Sequence, residues 1–305
     1  MKGLVYKSTG SWYVTKTEDG KAINSRIKGV FKIDGITSTN PIAVGDIVEL
    51  EPEGDADGTA MITEIYPRRN YITRQSPSHK MQHHIIAANL DQSLIFATLR
   101  EPRTSQGFID RFLVTCEAYH IPSLIVFNKM DVYKKKDFDK LEQLTEAYVS
   151  IGYKVFPISV QKSEGIEALK NELKDKTTLM SGHSGVGKSS FINKVFPEFH
   201  LKTKDVSEWS GKGMHTTTFA EMFDLSFGGK IIDTPGMREF GIVNISKQEL
   251  SHYFPEMRAL LNECHFNDCL HVNEPGCAIK TAVGDGRIDE GRYISYYNIL
   301  ESINS

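Results

Sequence analysis

The chain has 305 residues, of which 40% are hydrophobic and 25% are charged. This is the composition of a globular protein with room for two or three domains. The formal net charge of -3 provides no overall attraction to nucleic acid, so any RNA binding has to come from local patches. The sequence shows neither a run of about 18 apolar residues nor an apolar N-terminal segment, which argues against a membrane span or a signal peptide and favours the cytoplasm.

Short β-type segments dominate the first 66 residues. They include residues 11–15, 44–50 and 60–65, and glycine, asparagine and proline separate them. Short strands punctuated by turn residues are typical of a small all-β barrel, and we expect this one to be OB-like.

The next segment, residues 65–90, contains no acidic residue, whereas Arg68, Arg69, Arg74 and Lys80 carry positive charge. This pattern predicts a connector with a basic face. Two interpretations remain open, a solvated loop or a contact surface for nucleic-acid phosphates, and the sequence does not separate them.

From about residue 91 the pattern changes to alternating strands and helices. Alternation of this kind predicts a doubly wound α/β domain. The predicted strands cover residues 93–98, 123–127, 154–158 and 178–180, and the predicted helices cover residues 108–120, 136–151 and 165–174.

The apolar strand at residues 123–127 leads into the sequence N-K-M-D at residues 128–131. Open α/β sheets bind ligands at the carboxyl ends of their strands. An aspartate can accept hydrogen bonds from guanine N1–H and the 2-amino group, so Asp131 is predicted to select GTP over ATP. In the same loop, Asn128 would brace the backbone and Lys129 would pack along the base.

A second loop follows the next predicted strand, and its residues Ser159 and Val160 are predicted to support the base. The motif N-K-x-D is also typical of a helix-capping turn when it stands alone. The phosphate-loop motif further along the chain favours the nucleotide interpretation.

Residues 182–189 match the phosphate-loop pattern G-x-x-x-x-G-K-[ST], with a short strand before them and a helix at residues 190–195 after them. The glycines allow backbone N–H groups to surround the phosphates, next to the positive end of the helix dipole. Lys188 would contact the β and γ oxygens and assist catalysis, and Ser189 would bind Mg²⁺. The predicted phosphate-loop residues are Gly182, His183, Ser184, Gly185, Val186, Gly187, Lys188, Ser189 and Ser190.

Further along the chain, the apolar residues 230–232 lead into D-T-P-G at residues 233–236. Asp233 at the end of a strand would hold Mg²⁺ through water, and the N–H group of Gly236 would sense the γ-phosphate. The motif is weak alone, but in a chain with a phosphate loop it indicates a GTPase.

These motifs resemble those of TRAFAC-type GTPases, but the base-reading loop precedes the phosphate loop. Joining the termini of an ordinary GTPase domain and cutting it elsewhere gives this order while preserving the site, since chain termini often lie close together. The order, together with residues 86–92 (I-A-A-N-L-D-Q) and the flanking segments, resembles the ribosome small-subunit-dependent GTPase family, RsgA.

The resemblance covers essentially the whole chain and implies a multidomain α/β protein. It implies an OB-like RNA-binding barrel at residues 1–72, a circularly permuted P-loop GTPase domain at residues 73–241, and a mostly helical zinc-binding domain at residues 242–305. Such a protein hydrolyses GTP to GDP and phosphate, binds the small ribosomal subunit and its rRNA, and assists late subunit maturation. A monomer is expected.

The residue that orients the attacking water is not the usual glutamine, because this chain has Met237 directly after the D-T-P-G motif. His215 matches the histidine that the family is thought to use to orient this water. The alternative interpretation is a solvated histidine in a glycine-rich polar loop. Thr217 is predicted to bind Mg²⁺, but Thr216 and Thr218 leave that choice ambiguous.

Three cysteines and a histidine lie within one short C-terminal segment, as Cys264, Cys269, His271 and Cys277. Three thiolates and one imidazole complete a tetrahedral zinc site and leave no position for a catalytic water, so the predicted zinc ion, one per chain, is structural. The spacing matches the zinc pattern of the family that the chain resembles. His265 is a competing ligand.

Two other functions compete with the ribosomal GTPase. One is a non-ribosomal GTP-dependent switch that acts on a protein partner. The other is an RNA-binding module with a residual nucleotide site, and the retention of Asp131, Lys188, Ser189 and Asp233 argues against it.

Overall fold

The computed structural model describes residues 1–27, 41–53, 58–75, 83–195, 220–234 and 245–303. Its described residues belong to two compact units. The first unit comprises Met1–Leu94, Glu167–Ser181 and Lys188–Arg238, and the second comprises Ile95–Ile166, Gly182–Gly187 and Glu239–Ser305. Each unit is therefore assembled from segments that are far apart in the sequence.

The first unit begins with a closed five-stranded barrel, as predicted. Strand β1 pairs with β2, β2 with β3, β3 in parallel with β5, β5 with β4, and β4 again with β1. Alternating side chains point inward, and Val5, Tyr13, Val48 and Ile62 are among the buried core residues. The strands are β1 (Lys2–Ser8), β2 (Tyr13–Thr17), β3 (Ala22–Ile27), β4 (Ile47–Pro52) and β5 (Thr59–Ile65).

The segment predicted as a basic connector contains an antiparallel pair, β6 (Tyr71–Gln75) and β7 (His83–Ala88). Just before it, Arg68 donates to both carboxylate oxygens of the buried Asp46, with both N···O distances 2.6 Å. Arg68 is itself only 9% exposed, so its charge stabilises the barrel and is not offered to a phosphate. Arg69 pairs with Asp91 at 2.7 Å but stays 59% exposed.

The predicted alternation of strands and helices follows, with boundaries within a few residues of those expected. The apolar strands β8 and β9 are buried throughout. The elements are β8 (Gln92–Ala97), α1 (Gln106–Ala118), β9 (Ser123–Phe127), α2 (Lys135–Ser150), β10 (Lys154–Pro157), α3 (Ile166–Leu173), β11 (Thr177–Gly182), α4 (Lys188–Val195), β12 (Glu221–Asp224) and β13 (Lys230–Asp233).

In the first unit, β13 pairs in parallel with β11 and antiparallel with β12. Strand β12 also pairs with β1 of the barrel, where Lys7 lies opposite Glu221 and binds its carboxylate at 3.1 Å. The hydroxyl of Tyr6 donates to Asp224 at 2.6 Å. The barrel and β12 are therefore joined by backbone pairing and by charged side chains.

In the second unit, β9 pairs in parallel with β10 and lies beside β8, where the N–H group of Asn128 donates to Ala97 O at 2.9 Å. This pairing brings the carboxyl ends of β8, β9 and β10 to one edge of the sheet. The predicted base-reading residues follow β9 and β10 at this edge.

The C-terminal part of the second unit is mostly helical. It contains α5 (Pro255–Arg258), α6 (Ala278–Gly284) and α7 (Glu290–Ser302), with short 3-10 turns at Leu250–Tyr253 and Leu261–Glu263. Phe254, Ile279 and Tyr296 pack in its core together with Val114 from α1. Across the described ranges, no helix is both long and apolar enough to span a membrane.

Candidate functional site

Asn128 holds the base-reading loop of the second unit in place. Its side-chain NH₂ group donates to Val186 O at 2.9 Å, and its side-chain oxygen accepts from the N–H group of Val160 at 3.1 Å. The Tyr133 hydroxyl donates to Asn128 O at 2.7 Å. One buried amide thus fixes the base-reading loop, the second base loop and the phosphate loop relative to each other.

Asp131 is oriented by the second base loop. The Ser159 hydroxyl donates to one Asp131 carboxylate oxygen at 2.6 Å and accepts from the N–H group of Lys162 at 3.1 Å. Lys129 has a φ of +68° and donates its ammonium group to Glu101 O. A carboxylate held in this way can present its remaining acceptor capacity to a guanine.

The phosphate loop, Gly182–Gly187, depends on two glycines for its path. A Cβ atom at Gly182 would lie 2.4 Å from Phe96 O, and one at Gly187 would lie 2.2 Å from the Asn128 side-chain nitrogen. Both residues have positive φ angles, of 140° and 100°. Only glycine combines this backbone conformation with such close neighbours.

A Gly187→Ala substitution is expected to weaken guanine-nucleotide binding by about 5- to 150-fold, because strain of about 1–3 kcal/mol falls on the contact between the phosphate loop and Asn128. Titration with a fluorescent GDP analogue measures the loss. Gly152→Ala is the matched control, since Gly152 has a φ of +97° but no atom near an added Cβ. Equal nucleotide affinity of the Gly187 variant and the wild type would contradict the assignment.

His183 in the phosphate loop stacks on Phe108 in the first turn of α1, with ring centroids 3.7 Å apart and an interplanar angle of 28°. The hydroxyl of Ser105 caps this helix and accepts from the N–H group of Phe108 at 3.2 Å. His183 was predicted as a phosphate-loop residue, whereas Phe108 belongs to no motif and was not predicted.

In the first unit, Lys188 and Asp233 form the charged part of the site. Burial lowers the pKa of Lys188, and the Asp233 carboxylate opposes that shift. Burial also raises the pKa of Asp233, against the attraction of Lys188. One Asp233 oxygen is buried without a hydrogen-bond partner among the described residues, which suits a carboxylate that accepts from metal-bound water. Ser189 and Ser190 lie half-buried in α4, directly after Lys188.

Three predicted site residues lie outside the described residues. They are His215, Thr217 and Gly236. Met237, which replaces the usual glutamine, also lies outside them. Their predicted roles in water positioning, Mg²⁺ binding and γ-phosphate sensing stay predictions.

The predicted zinc ligands meet in one place. One potential ligand atom from each of Cys264, Cys269, His271 and Cys277 lies within 4.8 Å of the others. His271 Nδ1 is 3.4 Å from Cys277 Sγ and 3.7 Å from Cys264 Sγ, which are distances between neighbouring ligands of one ion. The competing residue His265 is exposed, contacts the Phe266 ring edge to face and is not part of this cluster.

The protonation states of the cysteine and histidine side chains in this cluster are compatible with metal binding. Burial raises the pKa of the Cys269 thiol to about 12, and burial lowers the pKa of His271, which keeps its imidazole neutral. A neutral imidazole is ready to bind a metal, whereas buried thiols become thiolates only when a cation compensates their charge. The donor set therefore fits a metal ion.

Comparison with known proteins identifies the family. The RsgA GTPase family model matches residues 65–243, and the RsgA N-terminal domain model matches residues 2–60. The chain belongs to the RsgA GTPase family. It is therefore a GTP hydrolase, as its motifs predicted.

Its relatives match over nearly their full length. A protein of Flavobacterium psychrophilum named small ribosomal subunit biogenesis GTPase RsgA is 52% identical over 99% of this chain and 93% of its own. A Bacteroides thetaiotaomicron protein named small ribosomal subunit biogenesis GTPase RsgA 2 is 49% identical over 99% of this chain and 96% of its own.

Two solved structures share the fold of this RsgA family member. YjeQ from Thermotoga maritima has a TM-score of 0.78 and 34% identity, with 99% of this chain and 97% of that chain covered. YloQ, described as a circularly permuted GTPase, has a TM-score of 0.73 and 31% identity, with 99% and 94% covered. The permuted motif order is thus a property of the fold, as predicted.

Proposed function

We propose that this RsgA family member is a GTPase of small ribosomal subunit biogenesis. In this proposal it binds the small subunit, assists its late maturation and hydrolyses GTP faster on the subunit. The observation that carries the proposal is the 52% identity over 99% of the chain to a protein named for that role. No observation favours a non-ribosomal switch with a protein partner.

The nucleotide would be held by two sets of residues. Asp131 reads the guanine, Asn128 and Ser159 hold the base loops in place, and Lys129 and Val160 flank the base. The backbone of Gly182–Gly187 and the ammonium group of Lys188 bind phosphate oxygens. The described contacts of Asn128 support this arrangement, because its two hydrogen bonds tie the phosphate loop to both base loops.

Mg²⁺ would enter with GTP and neutralise charge on the phosphates. Ser189 and Asp233 would hold it, with Thr217 added from the switch segment, and the partnerless buried oxygen of Asp233 supports that role. His215 would orient the attacking water. Gly236 would contact the γ-phosphate through its N–H group.

Zinc is the metal that best suits the C-terminal cluster, one ion per chain. Three thiolates and an imidazole are its preferred structural donor set, and all four positions are taken by protein atoms. The proposed role is structural, since no coordination position is left for a substrate or water.

Contact with rRNA would involve the barrel. Trp12, just before β2, is 45% exposed and offers a flat surface on which a base can stack. OB barrels use the face of their second and third strands for this purpose. The boundaries 1–72, 73–241 and 242–305, the monomeric state and the cytoplasmic location belong to the same proposal.

The decisive experiment measures GTP hydrolysis with and without purified small ribosomal subunits. We expect subunits to raise the rate at least about tenfold, because a partner that orders the switch segment completes the catalytic site. The His215→Ala variant should lose the stimulation, whereas His252→Ala, which alters an exposed histidine in a C-terminal turn, should keep it.

Each outcome separates one part of the proposal. Hydrolysis that ignores the subunits would contradict the ribosomal role while leaving the family assignment intact. Stimulation that survives His215→Ala would place the water-orienting group elsewhere.

A further inference from the structure

Helix α1 contacts the phosphate loop at its first turn. The ring of Phe108 stacks on His183, and no motif residue other than His183 takes part in this contact. In the sequence, His183 lies between Gly182 and Ser184, whose N–H groups are expected to face the phosphates. The position of Phe108 therefore bears on the conformation of the loop that binds nucleotide.

The same helix is fixed to α7, which lies outside the region matched by the GTPase family model. Two residues after Phe108, the carboxylate of Asp110 accepts from Arg292 of α7 at 2.7 Å. Asp110 is fully buried and Arg292 is 1% exposed. Breaking such a buried pair is strongly unfavourable, so α1 and α7 behave as one element.

Further contacts close the same interface. Gln106 donates to Asp289 at 3.0 Å, and a Cβ atom at Gly291 would lie 2.4 Å from the Gln106 side-chain oxygen. Arg292 also donates to Glu256 at 2.7 Å. The first turns of α1 and α7 thus lie close enough for the Gln106 side chain to reach both Asp289 and Gly291.

Helix α7 in turn holds the loop around Leu270 and His271, which is called the metal-binding loop below. The hydroxyl of Tyr293 donates to His271 O at 2.7 Å, and the hydroxyl of Tyr296 donates to Leu270 O at 2.8 Å. His271 is a member of the metal-binding cluster and has a φ of +61°, so its backbone needs such support. Every step from His183 to His271 is a direct contact within the second unit.

We propose that Phe108 is a positioning residue for nucleotide binding that couples the phosphate loop to the C-terminal metal site. It holds His183 by stacking, and α1 and α7 transmit the state of the metal-binding loop to that stack. The proposal rests on the phosphate-binding role proposed above for Gly182–Gly187. Because coupling between sites is reciprocal, bound nucleotide also stabilises the metal site.

The test measures GDP affinity by fluorescence titration in excess Mg²⁺. Phe108→Leu keeps an apolar side chain but loses the stack, and we expect it to weaken GDP binding about fivefold, whereas Phe108→Trp restores the affinity. A chelator selective for transition metals over Mg²⁺ should weaken GDP binding about fivefold in the wild type and less than about 1.5-fold in Phe108→Leu. GDP should slow chelator-driven metal release in the wild type alone.

Two milder variants test the same coupling without removing the metal, which could unfold the C-terminal helices. Tyr293→Phe removes the hydroxyl that supports His271 and should weaken GDP binding about two- to threefold in the wild type but not in Phe108→Leu. Tyr297→Phe changes an exposed tyrosine of the same helix and should have no effect. Thermal unfolding of each variant separates general destabilisation from this coupling.

Two results would overturn the proposal, namely full GDP affinity in Phe108→Leu or additive effects of Phe108→Leu and metal removal. Either result would leave the proposed nucleotide site intact as long as the wild type binds GDP. A wild type that binds no guanine nucleotide would instead contradict the proposed nucleotide site itself.

Discussion

Replacing Asp131 with alanine is expected to weaken GTP binding by roughly two to four orders of magnitude. The carboxylate is placed to accept two hydrogen bonds from guanine, and each charge-assisted bond contributes about 1.5–3 kcal/mol. Ser159 holds that carboxylate at 2.6 Å, so its orientation is set before the nucleotide arrives. Titration with fluorescent GDP and competition with ATP measure both the loss of affinity and the loss of discrimination.

Asp139→Ala provides the matched control, because Asp139 is an exposed carboxylate in α2 that the same substitution removes. Ser159→Ala should give a smaller loss, since it frees the Asp131 side chain without removing it. An Asp131→Ala variant that binds GTP within about threefold of the wild type would refute the base-reading role, because a lost charge-assisted pair costs far more.

The motifs were predictable because they are local. A phosphate loop needs its glycines, lysine and serine at fixed spacing, and the structure folds these residues between a strand and a helix. The strands β8, β9 and β11 were found for a related reason, since buried strands of an α/β sheet are continuous apolar runs.

The β-barrel was predicted, but its strands β1 and β3 were not among the predicted strand segments. Strand β3 buries Ile23 and Ser25, and the Ser25 hydroxyl is satisfied by Thr15 at a 2.6 Å Oγ1···Oγ distance. A buried polar pair hides the apolar alternation that marks a strand. The pair β6 and β7 was missed because its charged and histidine-rich sequence resembles a connector, and a register shift between Ile72 and Thr73 breaks its alternation.

Contacts between residues that are distant in the sequence could not be predicted from sequence patterns. Arg68 was counted as available positive charge, yet it is neutralised by Asp46, which lies 22 residues earlier. Phe108 belongs to an ordinary amphipathic helix, and only the fold brings it onto His183. Such pairings depend on the three-dimensional path of the chain, which local patterns do not encode.

Metal removal is expected to lower the free energy of unfolding of the C-terminal segment by several kcal/mol, which is less than the roughly 10–16 kcal/mol that structural zinc supplies to zinc-finger peptides. Cys277 is the most informative residue to replace, because it has two roles. It is a member of the metal cluster, and its Sγ caps α6 by accepting from Lys280 N at 3.5 Å. A Cys277→Ser variant keeps a capping oxygen but loses the thiolate. Elemental analysis and thermal unfolding should therefore show both lost metal and lost stability.

Cys116→Ala separates metal binding from simple loss of a buried cysteine. Cys116 is fully buried in α1 but does not belong to the cluster, so its variant should keep one metal ion per chain and lose only about 1–2 kcal/mol. If Cys277→Ser kept its metal and unfolded at the same temperature as Cys116→Ala, the cluster would not be the metal site. Since Phe254, Ile279 and Tyr296 belong to an apolar core in this segment, the metal is expected to order the loop around His271 rather than to create the helical fold.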